Sequence, residues 1–285
     1  MPDLKAELLY DAKCDLGEGP VWLDGALWFV DIPGKKVHRL KDGKLDGWDV
    51  GELVGFVVPT TKAGRFVIGR ADGLFFWSPD AEPEPISDPQ VGEVMHTRFN
   101  DAKVSPQGRL FAGTMVLQGP PKSAHLYRVD PDLSVRPVVD GVQISNGLDW
   151  STDHRTMWYA DTPTGRVYAF DHDPDTGEIT NRRELVKNMP GGPDGLSADS
   201  EDRLYIAQWG GSCLLIADGK TGEHLGRVEV GVPNVTSCCF GGPDLRSLYI
   251  TTHHAGGEGG GGIWHVKDAG VTGKPVTLFD PMDAG

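Results

Sequence analysis

Residues 98–115 read RFNDAKVSPQGRLFAGTM, and the pattern within this segment predicts the fold. Its second half, RLFAGTM from Arg109, is a short apolar and aromatic run that follows the turn signal PQG. Runs of this kind are typical of β-strands, and Gly and Pro clusters mark the turns between them. Similar phrases recur at intervals of 39 to 47 residues: ALWFVDI from Ala26, RFVIGRA from Arg65, TMWYADT from Thr156, RLYIAQW from Arg203 and SLYITTH from Ser247. The chain is therefore built from six similar units.

Each unit has the strand content of a β-propeller blade. Further apolar runs flank most of the phrases, and a more polar run completes several units, as in VRPVVD and LGRVEV. Four short strands per unit of about 45 residues predict an all-β, six-bladed β-propeller with four-stranded antiparallel blades. We expect one domain over residues 1–285, with almost no helix. A β-sandwich, or two of them, is the alternative, but it does not explain six similar phrases.

The ends of the chain bear on how the ring closes. The first full hairpin starts near Pro20, and we expect the last unit to end near Val276–Asp280. The leftover strand-like segment Ala6–Tyr10 is then available to join the final blade and close the ring, which removes exposed edge strands. GGEGGGG at Gly256–Gly262 is predicted to be a flexible loop between two strands of the last unit.

Charge and cysteine content limit the class of protein. With 41 acidic and 27 basic residues the net charge is −14, which argues against a nucleic-acid partner. The sequence has no run of 18 apolar residues, which would predict a membrane span, and no signal peptide is visible. We therefore expect a cytoplasmic protein without an obligatory protein partner. The cysteines have neither a disulfide framework nor zinc-ribbon spacing, and we interpret them as buried thiols in a reducing compartment: Cys14, Cys213, Cys238 and Cys239.

Oxygen-bearing side chains recur at one point of the repeat. Glu18, Asn100, Asn146 and Asp194 each stand 9 to 11 residues before the second residue of a hairpin phrase. The first strand of each blade lines the axis of a propeller, so these side chains are predicted to converge there. Carboxylates and amides are the ligands that hard divalent cations prefer. The competing interpretation is that Asn-Gly, Asp-Gly and Asn-Asp are turn dipeptides, but recurrence in four units favours a site.

The sequence offers further, less clearly marked candidates for this ligand site. Arg98 is expected to reach the same mouth of the channel and to bind an oxygen of a ligand, whereas Asp101 is expected to hydrogen-bond its own turn. His253 and His254 either overhang the channel or face solvent. Three tryptophans inside the repeated phrases are expected in the core between blades: Trp28, Trp158 and Trp209.

The motifs together resemble one family of enzymes. GEGPVW, FVDIPGKKVHR, RFNDAKVSPQGRLFAGTM, VQISNGLDWS, PDGLSAD and TSCCFGGPD resemble the senescence marker protein/regucalcin/gluconolactonase family, from about Gly17 to about Gly262. The resemblance implies a six-bladed propeller that hydrolyses sugar lactones with one divalent metal ion (Ca, Mg, Mn, Zn or Fe). It implies Glu18, Asn146 and Asp194 as metal ligands, with Asp194 also the catalytic base. It implies substrate contacts by Arg98 and Asn100.

One segment departs from the family pattern. Some members carry an acidic residue shortly after the GTM phrase, where it contacts the sugar, but here the segment reads GTMVLQGPPK. This difference suggests another sugar lactone or a looser pocket.

The predicted reaction is attack of a metal-activated water on the lactone carbonyl, with a carboxylate accepting a proton. No G-x-S-x-G elbow or other nucleophile triad is visible. Two alternatives stay open: a calcium-dependent phosphotriesterase and a non-catalytic calcium-binding regulatory protein.

Overall fold

Six β-sheets of four or five strands make up nearly all of the computed structural model, which describes residues 3–89, 96–255 and 257–282. Apart from two N-terminal strands, the strands of each sheet follow one another along the chain, so each sheet corresponds to one repeat of the sequence. Within the described residues the only helical segment is a 3₁₀ turn at Thr162–Thr164. The prediction of a six-bladed propeller with almost no helix is confirmed. No helix in these residues is long and apolar enough to cross a membrane.

The blades are numbered I to VI in chain order, and their strands run from the axis outward. Blade I contains β3 (Gly17–Leu23), β4 (Ala26–Asp31), β5 (Lys36–Lys41) and β6 (Lys44–Asp49). Blade II contains β7 (Val54–Pro59), β8 (Phe66–Arg70), β9 (Gly73–Trp77) and β10 (Glu84–Ser87). Blade III contains β11 (His96–Val104), β12 (Leu110–Gln118), β13 (Ala124–Val129) and β14 (Val135–Val142). Blade IV contains β15 (Ser145–Trp150), β16 (Thr156–Asp161), β17 (Arg166–His172) and β18 (Ile179–Val186). Blade V contains β19 (Gly192–Ala198), β20 (Arg203–Trp209), β21 (Cys213–Asp218) and β22 (His224–Glu229). Blade VI contains β23 (Val235–Gly241), β24 (Ser247–Thr252) and β25 (Ile263–Val266).

The N-terminal residues complete the last two blades. Strand β2 (Glu7–Tyr10) pairs antiparallel with β25 and is the fourth strand of blade VI, as predicted for this segment. Strand β1 (Leu4–Lys5) pairs parallel with β22 and adds a fifth strand to blade V, which the sequence did not suggest. The N-terminal strand β2 thus closes the ring by pairing with β25, the last strand of the described chain, and forms the outer edge of blade VI.

Apolar side chains fill the spaces between neighbouring blades. Strands β7, β15 and β23 are buried along their whole length, since they face the axis and both adjoining blades. Trp28 and Trp158 belong to this core, as predicted. The prediction for Trp209 is wrong, because it ends strand β20 at the rim of the ring and is 38 % exposed. All four cysteines are free and buried, as expected.

The C-terminal segment crosses one face of the ring instead of ending blade VI. Gly273 bridges to Asp199 of blade V, and the main chain of Phe279 bonds with Pro59 and Thr61 at the end of β7 in blade II. The expectation that the last unit extends to Val276–Asp280 is therefore wrong. Strand β2 already occupies the edge of blade VI, and the apolar character of the segment is used to bury Phe279.

Candidate active site

The register of every inner strand is interrupted at the same point of the repeat. In the four blades that carry candidate residues the ladder shifts between Glu18 and Val21, Phe99 and Ala102, Ser145 and Leu148, and Pro193 and Leu196. A bulge turns side chains out of the normal strand alternation. Glu18, Asn100, Asn146 and Asp194 lie at or inside these bulges, so one backbone device places all four.

The glycines that follow two of these residues let neighbouring inner strands approach. A Cβ on Gly147 would lie 2.4 Å from the amide nitrogen of Leu196, and one on Gly195 would lie 2.1 Å from Oγ of Ser237. Both distances are too short for a side chain. Asn146-Gly147 and Asp194-Gly195 are thus packed inner-strand positions and not surface turns, which removes the competing interpretation of these dipeptides.

Hydrogen bonds connect the candidate residues of blades III and IV. Nη1 of Arg98 donates to Oδ1 of Asn100 at 2.7 Å and to the carbonyl of Phe99 at 2.9 Å. Nδ2 of Asn100 donates to the carbonyl of Ser145 at 2.7 Å and lies 3.3 Å from Oδ1 of Asn146. These residues are buried, so the bonds fix Asn100 and the guanidinium against the inner strands.

A threonine that the sequence analysis did not single out fixes Asn146. Nδ2 of Asn146 donates to Oγ1 of Thr162 at 2.7 Å, and this hydroxyl donates to the carbonyl of Pro193 at 2.8 Å. The orientation of the amide leaves Oδ1 of Asn146 directed toward Asn100. Thr162 therefore connects the blade IV amide to the residue just before Asp194. No repeated motif marks this position, and only the fold brings the hydroxyl to the site.

Buried carboxylates outnumber cations in this cluster. Burial, followed by the charges of Asp194 and Asp101, raises the pKa of Glu18 well above its ordinary value. Burial and then Asp101 do the same to the pKa of Asp194. Burial lowers the pKa of Arg98 to about 10, although Glu18 and Asp194 favour its charged form. Three acids beside one guanidinium, with amide oxygens among them, are a donor set that fits a hard divalent cation.

Asp101 belongs to this cluster as well as to its own turn. Its carboxylate accepts the N–H of Ala102 at 2.7 Å, as the sequence suggested. It is also buried, which raises its pKa to about 6, and its charge acts on both Glu18 and Asp194. Asp101 is therefore a third buried acid of the cluster and also hydrogen-bonds its own turn.

Aromatic side chains flank the rim between blades V and VI. The ring of His253 lies 5.0 Å from that of Trp209 and 4.4 Å from that of His254. His253 is partly buried, and burial, followed by the charge of His254, lowers its pKa. His254 is exposed beside Asp15, at 3.5 Å. Neither histidine has a hydrogen bond to the acid cluster among those that the described residues form.

A cavity of about 420 Å³ occupies the axis beyond the cluster. It is lined by the later residues of the inner strands, including Asp101, and by Lys274–Thr277 of the C-terminal segment. Asp149 lies in its wall and accepts hydrogen bonds from Lys103 at 2.9 Å and Lys274 at 3.0 Å. Burial alone would raise the pKa of Asp149, but the two ammonium groups outweigh it and hold this pKa below its ordinary range. The C-terminal segment thus lines the axial cavity at the end opposite to the start of the inner strands.

Comparison with known proteins places the chain among relatives of the same fold. Residues 16–254 match the model of the SMP-30/Gluconolactonase/LRE-like region. A regucalcin of Danio rerio is 42 % identical over 265 residues, covering 90 % of this chain and 89 % of the relative. A protein of Bacillus subtilis (strain 168) that is named as a sugar lactone lactonase is 35 % identical over 258 residues, covering 87 % of each chain.

Solved structures agree with this placement. A luciferin-regenerating enzyme superposes with a TM-score of 0.90 at 30 % identity, covering 96 % of this chain and 98 % of the other. A calcium-binding regucalcin of Agrobacterium tumefaciens superposes with a TM-score of 0.89, covering 98 % and 99 % of the two chains. At 23 % identity the second comparison supports the fold alone.

Proposed function

Because the chain belongs to the SMP-30/gluconolactonase/LRE-like family, we propose that it hydrolyses sugar lactones to the corresponding sugar acids with the help of one divalent metal ion. The observation that carries the proposal is the buried cluster at the bulges of four inner strands, in which carboxylates, amides and one guanidinium meet. A sugar lactone is a small cyclic ester, so the proposed partner is this small molecule alone. The free, buried cysteines support a reducing, cytoplasmic location as part of the same proposal.

Glu18, Asn146 and Asp194 are proposed to hold the cation. Their oxygens come from blades I, IV and V, and two of the three are carboxylates whose burial is uncompensated by the single arginine. A divalent cation, when bound, polarises an ester carbonyl and lowers the pKa of a water at the site. Thr162 fixes the amide of Asn146, and the Gly19 N–H donates to Oε2 of Glu18 at 2.7 Å, so both side chains are held in place.

Arg98 and Asn100 are proposed to contact the lactone. The guanidinium has five N–H donors, and the bonds to Phe99 and Asn100 engage only one of its nitrogens. The remaining donors suit the ring and hydroxyl oxygens of a sugar lactone. Because the guanidinium is buried, a hydrogen bond from it to an oxygen that gains negative charge is stronger than the same bond in water.

Asp194 is proposed to be the general base. One carboxylate oxygen would bind at the cation site, while the second would accept a proton from the attacking water and pass it to the ring oxygen as the ester C–O bond breaks. General-base assistance is worth about 10²–10⁴-fold in rate. Asp194→Asn keeps the shape and one oxygen donor but removes the base, so a rate loss of about this size is expected to persist at saturating metal.

Glu18→Gln is the matched comparison, because it changes a proposed ligand that is not the base. Much of its loss in activity is expected to be recovered by added metal. The experiment measures kcat for both variants, with an aldono-lactone as substrate and spontaneous hydrolysis subtracted, across a metal titration. If excess metal restores Asp194→Asn to the wild-type rate, Asp194 is only a ligand and the base lies elsewhere.

The same assay separates the alternative functions. For this purpose a phosphotriester is added as a second substrate, and both substrates are assayed with and without a chelator. A lactonase hydrolyses the lactone and loses this activity with the chelator, whereas a phosphotriesterase hydrolyses the phosphotriester instead. A protein that binds the cation but hydrolyses neither compound is a non-catalytic calcium-binding protein.

A further inference from the structure

A sulfur, a nitrogen and an oxygen donor meet in blade I, away from the axis. Sγ of Cys14, a carboxylate oxygen of Asp31 and a ring nitrogen of His38 all lie within 4.8 Å of one another. All three residues are buried. They come from separate segments: the loop before β3, the end of β4, and β5. Because β5 is the third strand of its blade, the group lies about two strand spacings, or roughly 10 Å, outside the inner strand.

Surrounding groups hold two of these donors in place. The Asp31 carboxylate accepts the N–H of Leu16 at 3.1 Å and that of Asp15 at 3.2 Å. The His38 ring stacks on Phe29 with centroids 5.2 Å apart. Its Nδ1 lies 3.3 Å from the carbonyl of Asp46, and an Nδ1–H donor there leaves the lone pair of Nε2 free. A histidine that donates its other ring N–H to a carbonyl is the usual arrangement behind a metal ligand.

We propose that Cys14, Asp31 and His38 bind one Zn²⁺ ion, with a water as fourth ligand. Zinc accepts thiolate, imidazole and carboxylate ligands together, at about 2.0–2.3 Å in a tetrahedral arrangement. Calcium and magnesium prefer oxygen ligands alone, so a thiol and an imidazole select zinc over these two cations. The three donor atoms already lie within 4.8 Å of one another, and small side-chain rotations would bring them to the distances between ligand atoms of such a site.

Binding at this site releases a proton. Burial, followed by the charges of Asp31 and Asp15, raises the pKa of Cys14 to about 12, so the thiol is protonated without a metal. The incoming ion forms the Zn–S bond as the S–H bond breaks, and the proton leaves to solvent, which balances the step. The ion would tie the loop before β3 to the second and third strands of blade I. This site and its test do not depend on the function proposed for the axial cluster.

Cobalt is the probe that distinguishes the two sites. Co²⁺ replaces zinc in such sites and gives a thiolate-to-metal charge-transfer absorption in the near ultraviolet, which a site of oxygen ligands does not give. We expect this absorption to saturate at one Co²⁺ per chain in the reduced wild-type protein, and zinc to abolish it. Absence of the band in the wild type would refute the proposal.

Variants test the assignment of ligands. Cys14→Ser is expected to abolish the band, while Cys213→Ser, which alters another buried cysteine in blade V, is expected to keep it. His38→Gln retains the thiol and is expected to weaken cobalt binding by about tenfold or more. A band that persists in Cys14→Ser, or cobalt affinity unchanged in His38→Gln, would overturn the site. The wild-type titration decides the question if a variant does not fold.

Discussion

Replacing Thr162 by valine tests how the axial site is supported without touching a proposed ligand or substrate contact. Valine has nearly the shape of threonine but removes the hydroxyl that accepts from Asn146 at 2.7 Å and donates to Pro193 at 2.8 Å. The loss of a partner that orients a ligand typically lowers metal affinity by about 10–100-fold, or roughly 1.4–2.7 kcal/mol. We therefore expect Thr162→Val to bind a divalent cation more weakly by this factor in calorimetry, and to recover activity at high metal concentration.

Thr164 supplies the matched control. It lies in the same 3₁₀ turn, and its hydroxyl donates to the carbonyl of Asp161 at 2.6 Å without contacting Asn146. Thr164→Val removes a hydroxyl bond of similar length, so any effect on folding of the turn is common to both variants. Equal metal affinity in the two variants would refute the reasoning, because the Asn146 amide would then not depend on Thr162 for its orientation or would not be a ligand.

Two further predictions concern a substrate contact and the C-terminal segment. Arg98→Ala is expected to raise KM if the guanidinium binds the lactone equally in the ground and transition states, and to lower kcat if it acts only on the developing oxyanion; unchanged kcat and KM would show that Arg98 does not contact the substrate. Phe279→Ala is expected to reduce the free energy of unfolding by about 3–5 kcal/mol in a denaturant titration, because Phe279 is fully buried in the core between blades II and III. Met282→Ala, at a residue that is 61 % exposed, is the control and is expected to have little effect; similar losses in both variants would contradict the role given to Phe279.

The architecture could be predicted because the sequence pattern of one blade recurs six times. Repeated phrases such as RLFAGTM supply the second strand of every blade, and each copy supports the interpretation of the others. Apart from Trp209, which ends its repeated phrase at the exposed rim, the failures come from residues outside the repeat. Val276–Asp280 has the composition of a strand, but which edge it meets depends on β2 having filled blade VI. Leu4–Lys5 is too short to give a pattern.

The candidate site was predictable only where it shares the repeat. Glu18, Asn100, Asn146 and Asp194 were found from their common spacing, and the bulges at this spacing explain why they meet. Thr162 has no counterpart in that pattern, since its role depends on the contact between blades IV and V. The group of Cys14, Asp31 and His38 likewise has no sequence spacing typical of zinc, because the fold of blade I alone assembles it.

The pairing of β2 with β25 bears on how the molecule folds. Glu7–Tyr10 is synthesised before the other five blades, but its partner Ile263–Val266 is synthesised after them. In the described residues every other blade takes its four antiparallel strands from one continuous stretch of chain, whereas blade VI needs the distant strand β2 as its fourth strand and blade V gains β1 only as a fifth. Contacts of such long sequence separation slow folding, because the entropy of closing the loop is lost before they form. Substitutions of Leu8 are therefore expected to affect a late step of folding, in which the ring is nearly complete but blade VI still lacks its fourth strand.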